Sequence, residues 1–112
     1  MTNYFATLAG EIEVWPSKDE LAHILVSAGL KIYVGRYSVR VEDCEYFSFE
    51  QYGGDLGDPI IAADAETVEG MLQDAQLVSN ALGAADVRHR FEIYGPDRNL
   101  AAYLHHRWPA EA

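Results

Sequence analysis

Apolar positions change period several times along the 112 residues, and each change marks a new element. Residues 1–14 alternate loosely: Tyr4, Ala6 and Leu8, then Ile12 and Val14. This predicts a strand interrupted near Gly10. Ser17-Lys18-Asp19-Glu20 has the form of a capping box, in which the Ser17 hydroxyl accepts from the Glu20 amide and the Glu20 side chain reaches back. Leu21, Ile24, Leu25 and Ala28 follow at i, i+3, i+4 and i+7, the stripe of an amphipathic helix. Gly29 suits the left-handed residue that ends it.

Leu30 to Val41 reads as strand, with its apolar phase slipping at Gly35: Leu30, Ile32 and Val34 before it, Tyr37, Val39 and Val41 after. A one-residue slip at a glycine predicts a β-bulge or a tight turn. Cys44 to Tyr52 is a further strand, bulky with Tyr46, Phe47, Phe49 and Tyr52. Residues 53–59 combine three glycines with a proline and predict a loop, and Ile60 to Ala63 a short strand. The second helix takes Asp64 as N-cap, with Glu66 and Glu69 at its positive end. Val68, Met71, Leu72, Ala75, Val78 and Leu82 hold its apolar face and Gly83 ends it. Gly70 inside that helix costs about 1 kcal/mol against alanine, which points to a close approach of another element.

The chain closes with a hairpin. Val87, His89, Phe91 and Ile93 alternate with Arg88, Arg90, Glu92 and Tyr94, and after Gly95-Pro96-Asp97-Arg98 the alternation resumes with Leu100, Ala102 and Leu104. A four-residue loop sets Ile93 opposite Leu100, Phe91 opposite Ala102 and His89 opposite Leu104. Arg88, Arg90, Glu92, Tyr103, His105 and Arg107 then share the other face. The elements sum to an α+β fold in one domain over residues 1–112: two helices packed on one face of a four- to six-stranded antiparallel or mixed sheet, with a C-terminal β-hairpin.

Composition narrows the function classes. A hydrophobic fraction of 49% and a charged fraction of 23% are those of a globular chain. No apolar run approaches the ~20 residues of a membrane span. Met1 to Val14 lacks a basic region and carries Glu11 and Glu13, so no secretory signal is expected. Cys44 is the single cysteine, so stability must come from packing, and a cytoplasmic setting is expected. Its neighbours Asp43 and Glu45 disfavour a thiolate, which argues against a nucleophile.

The formal net charge is −10, and between Val41 and Val87 lie eleven acidic residues and no basic one. Such a field repels nucleic acid and anionic membranes, and steers basic proteins toward the chain. A purely solubilising surface is the alternative. Within that span, Glu42, Asp43, Glu45, Glu50, Asp55 and Asp58 lie among Tyr46 and Tyr52. Aromatic anchors ringed by carboxylates suit a basic partner.

Candidate chemistry is sparse. His105 and His106 are adjacent and point to opposite faces of a strand, and no Cys, Asp or Glu stands at ligand spacing beside them. Asp55 and Asp58 in the glycine loop match no EF-hand spacing and read more simply as a solvated turn. No metal and no cofactor is expected. The serines lie in no nucleophile elbow, and neither a P-loop nor a G-x-G-x-x-G occurs. A pocket between sheet and helix formed by His89, His106 and Tyr103 is the remaining route to ligand binding or catalysis.

The closing segment, Arg88-His89-Arg90-Phe91-Glu92-Ile93-Tyr94-Gly95 and Tyr103-Leu104-His105-His106-Arg107-Trp108-Pro109, resembles the ending of short uncharacterised bacterial proteins. The whole chain is similar in character to small acidic immunity proteins of bacterial toxin systems. That resemblance implies a non-catalytic binding module that blocks a basic toxin domain; it carries no site residue over. The alternatives are a small ligand binder or enzyme using the His/Tyr pocket, and a homo-oligomeric structural subunit, a homodimer joined through an edge strand.

Overall fold

A computed structural model describes residues 5–50 and 58–108. The elements run β1 (Ala6–Ile12), α1 (Lys18–Ser27), β2 (Ile32–Val34), β3 (Ser38–Val41), β4 (Tyr46–Glu50), β5 (Ile60–Ala65), α2 (Val68–Ala84), β6 (His89–Tyr94) and β7 (Leu100–His106). The strands form one sheet in the order β2-β3-β4-β5-β1-β6-β7, with every neighbouring pair antiparallel. The class is the expected α+β. The strand count is seven rather than four to six, partly because the segment from Leu30 to Val41 folds back on itself. At Gly35 it makes a tight turn, the Gly35 amide donating to the Ser38 carbonyl at 2.8 Å.

Local signals act as read at α1. Ser17 and Glu20 close the capping box, with Glu20 N to Ser17 Oγ at 3.1 Å and Ser17 N to Glu20 Oε1 at 3.0 Å. Gly29 (φ 89) ends the helix: its amide donates to the Val26 carbonyl and the Leu30 amide to that of Leu25, a Schellman motif.

Two expectations are corrected at α2 and one at β1. Asp64 lies in β5 opposite Thr7, and the N-cap is Thr67, whose hydroxyl accepts from the Gly70 amide at 2.9 Å. Gly83 is inside the helix, which continues to Ala84. Its termination is again a Schellman pair, Asp86 N to Gly83 O and Val87 N to Leu82 O, with Asp86 (φ 57) in the left-handed place usually given to glycine. Strand β1 runs through Gly10 without interruption, although its pairing with β5 stops at Leu8 and Ala63.

The final hairpin keeps the expected faces but moves two residues in register: Ile93 pairs Ala102, Phe91 pairs Leu104 and His89 pairs His106. Two local events account for this. Gly95 to Arg98 is a turn closed by Arg98 N to Gly95 O at 2.9 Å, and Arg98 (φ 66) takes the left-handed position after it. A register shift between Ile93 and Tyr94 adds the second residue.

Both helices cover the same side of the sheet. The core there joins Leu21 and Leu25 of α1, Met71, Val78 and Leu82 of α2, and Phe47, Phe49, Phe91 and Ile93 of the sheet. Phe47 and Phe91 lie on strands separated by β5 and β1, yet their rings meet at 5.6 Å. Small residues on the intervening strands leave that space: a Cβ at Gly10 would stand 3.1 Å from Phe91 Cδ1 and 2.9 Å from Ile61 Cδ1. No helix of the described residues is long and apolar enough to cross a membrane.

Candidate functional site

Polar side chains gather in three places, and the first is the corner where the β3–β4 turn meets the start of α2. The Asp43 carboxylate accepts the Lys31 amide at 2.8 Å and so fixes the entry to β2. The Glu45 amide donates to Asp74 Oδ2 at 2.9 Å, and Glu45 Oε1 accepts the Glu66 amide at 3.0 Å. Glu66 precedes the N-cap, so the Glu45 carboxylate stands beside the positive end of α2, which favours a negative charge. The absent side chain of Gly70 makes room for it: a Cβ there would lie 2.8 Å from Glu45 Oε2. Gly70 therefore marks the close approach that its place in the helix predicts.

The Cys44 thiol is half-buried in the same corner, 3.8 Å from the Asp74 carbonyl oxygen. Burial, followed by the charges of Asp74 and Asp43, pushes its pKa up to about 12, so it is a thiol at neutral pH and no nucleophile. Asp74 is itself raised above the usual carboxylate range, first by desolvation and then by the neighbouring Glu45, against the hydrogen bond from the Glu45 amide.

Around the histidines the hydrogen bonds also point inward. His89 has no accessible surface. Its Nδ1 lies 2.8 Å from the Val87 carbonyl and its Nε2 2.7 Å from Ser79 Oγ. A carbonyl can only accept, so Nδ1 carries the proton and Nε2 accepts from the serine hydroxyl; the ring is neutral. Desolvation by burial holds its pKa below the ordinary histidine value. His106 stacks on it at 6.1 Å and bonds Asp86 Oδ1 at 2.9 Å, the carboxylate that also takes Arg107. These two partners hold the Asp86 carboxyl below its usual range.

The expected pocket of His89, His106 and Tyr103 does not form. Tyr103 and His106 differ by an odd number of positions on one strand, so they point to opposite faces. Tyr103 stacks on His105 at 5.3 Å on the side away from the helices. His106 instead lines a groove of about 450 Å³ between α2 and β7, with Gln76, Ser79, Asn80, Gly83 and Leu104. Among the described residues no three His, Cys, Asp or Glu side chains could hold a metal ion.

The third place is the sheet face without helices. Pairing puts Tyr46, Asp64, Thr7 and Tyr94 in one row across it, and Tyr33, Arg40 and the buried Ser48 begin the next. Glu50 pairs Ile60, and Glu11 pairs Arg90. Arg90 bridges Glu11 at 3.0 Å and Glu92 at 3.3 Å, and the Trp108 ring lies 5.6 Å from its guanidinium. The Tyr94 hydroxyl donates to Glu92 at 2.9 Å, which raises the tyrosine pKa. Tyr33 and Tyr103 are about half exposed, at 57% and 42%.

The acidic stretch expected at 42–58 is thus divided. Glu42 and Asp58 are exposed, and Tyr46 and Glu50 are partly exposed on the open face. Asp43 and Glu45 are turned into structural acceptors. Tyr52 and Asp55 lie outside the described residues. Sequence reading overlooked Asp64, Glu11 and Asp74; the first two were signalled by strand alternation, whereas Asp74 becomes an acceptor only through a contact 29 residues away. No family model matches this chain, and neither does any curated protein or solved structure.

Proposed function

We propose that this chain is a non-catalytic protein-binding module of a reducing, cytoplasmic compartment, and that its open sheet face docks a basic protein. One observation carries the reading. The helices cover one side of a seven-stranded sheet, and the other side offers Tyr33, Tyr46, Tyr94, Tyr103 and Trp108 among an excess of carboxylates. An antiparallel sheet commonly leaves one face to water. Aromatic residues on such a face, ringed by charge of one sign, have the composition of an interface anchor. Glu11, Glu50, Asp64 and Glu92 outnumber Arg40 and Arg90 there, and Glu42 and Asp58 extend the acidic rim. Steering by that field is a matter of association rate and specificity.

Catalysis draws no comparable support. His89 and Cys44, the two groups with nucleophilic or general-base chemistry inside the fold, are respectively bonded at both nitrogens and held as a thiol of high pKa. An immunity-type inhibitor of a basic toxin domain is the specific form of binding module that the chain's overall acidic α+β character suggests.

The test compares the wild-type chain with a triple variant, Glu42→Lys, Asp58→Lys and Asp64→Lys, as immobilised bait in cell lysate at low and high salt. A basic protein held by the wild type at low salt, released by high salt and not held by the variant supports the reading. Retention that neither salt nor the substitutions change would sink its electrostatic basis.

A further inference from the structure

The two edges of the sheet are unlike. The β2 edge is three residues long, whereas β7 offers seven, Leu100 to His106, and among the described residues pairs only with β6. An edge strand presents unpaired N–H and C=O groups, and proteins blunt such edges with charge, proline or shortness. Strand β7 contains no Asp, Glu, Lys, Arg or Pro. Beyond the strand, Arg107 takes a left-handed conformation (φ 54) and Trp108 lies over Arg90 of the next strand.

Beside the strand, charge is confined to Asp86 and Arg107 at its end and to Arg90 and Glu92 of β6. The groove between β7 and α2 is walled on the helix side by Gln76, Ser79, Asn80 and Gly83. On a chain of net charge −10, a seven-residue edge strand that itself carries no carboxylate is where a second copy approaches with least repulsion.

We propose that β7 is the interface between two copies of this chain. The strands pair antiparallel about a two-fold axis perpendicular to the sheet, so the contact is self-complementary and the sheet continues from one copy into the other. Side chains alternate, so Leu104 and His106 of each copy face the partner's α2 side, while Tyr103 meets its counterpart on the open face. The open face remains available to a different partner.

Sedimentation velocity over a wide range of concentration, at low and high salt, tests this. The expected result is a monomer–dimer equilibrium that high salt strengthens, because screening relieves repulsion between like-charged copies. Binding of a basic partner responds to salt in the opposite sense, so the two ideas fail separately. Amide exchange in β7 slows in the dimer, and Tyr103→Glu abolishes the dimer while the far-ultraviolet dichroism of the monomer is unchanged. A chain that is monomeric throughout overturns the proposal. So does a dimer whose β7 amides exchange as in the monomer, or one that Tyr103→Glu leaves intact. Protection of β7 only when another protein's extended segment binds would overturn it too.

Discussion

Replacing Ser79 by alanine removes the hydroxyl that donates to His89 Nε2 at 2.7 Å. The ring has no accessible surface, and its Nδ1 proton is committed to the Val87 carbonyl. Phe91 at 4.9 Å and His106 at 6.1 Å stand beside it, and Ser79 is the one hydrogen-bond partner of Nε2 among the described residues. An unsatisfied buried acceptor costs about 1–3 kcal/mol. Alanine returns up to about 0.5 kcal/mol as the better helix former. The net loss is about 1–2 kcal/mol, a large share of the roughly 5–15 kcal/mol that holds a small domain folded. Urea unfolding reads it as a lower midpoint with unchanged slope.

A cycle with His89→Leu then isolates the pair, because the double variant should cost less than the sum of the single ones. The same cycle has a pH signature. Burial lowers the folded pKa of His89, so the unfolded chain takes up the proton first. The stability held by the neutral ring is fully present above about 6.5 and is lost as pH falls below it, at up to about 1.4 kcal/mol per pH unit for one proton. Carboxylates add their own acid-side losses in both proteins, so the difference between wild type and His89→Leu reports the ring. A Ser79→Ala variant within half a kcal/mol of wild type, or equal acid slopes with and without His89, would refute the reasoning.

Two further tests address the corner beside α2. Gly70→Ala should give little of the ~1 kcal/mol that helix propensity offers, because the new Cβ lies 2.8 Å from Glu45 Oε2 and 3.1 Å from the capping Thr67 Oγ1. Adding Glu45→Ala should recover part of that gain, measured by urea unfolding; a full gain from Gly70→Ala alone would contradict the contact. Cys44, with its pKa near 12, should label with a thiol reagent far more slowly in the native chain than in urea at neutral pH. Equal rates in the two states would show the thiol to be neither buried nor depressed in reactivity.

Much of the local structure could be read directly. The Ser17–Glu20 capping box, the Gly29 terminus and the two-residue alternation of β6 and β7 depend on contacts within a few positions, and all three stand in the fold. The N-cap of α2 was misplaced from Thr67 to Asp64 because either residue can cap; β5 runs past Asp64 to Ala65, so the helix starts later. Register at the last hairpin depended on Arg98 adopting φ 66 and on one irregularity beside Ile93, and a non-glycine residue gives little sign of either in advance.

The candidate site was legible in kind and not in membership. Glu42, Asp43 and Glu45 are alike in sequence and all exposed, yet Asp43 and Glu45 are bound to backbone amides of distant elements. By itself the sequence determined the acidic, basic-free span, the two amphipathic helices, the strand alternation that puts Tyr103 and His106 on opposite faces, and the inert setting of a lone cysteine between acids. Those follow from composition and from spacing along the chain. Only the tertiary structure decided that β1 enters the middle of the sheet, that both helices choose one side, and that β7 is left as a long edge. Such outcomes rest on pairings between residues far apart in sequence, where several partners satisfy the same alternation and only the packing of the whole chain selects among them.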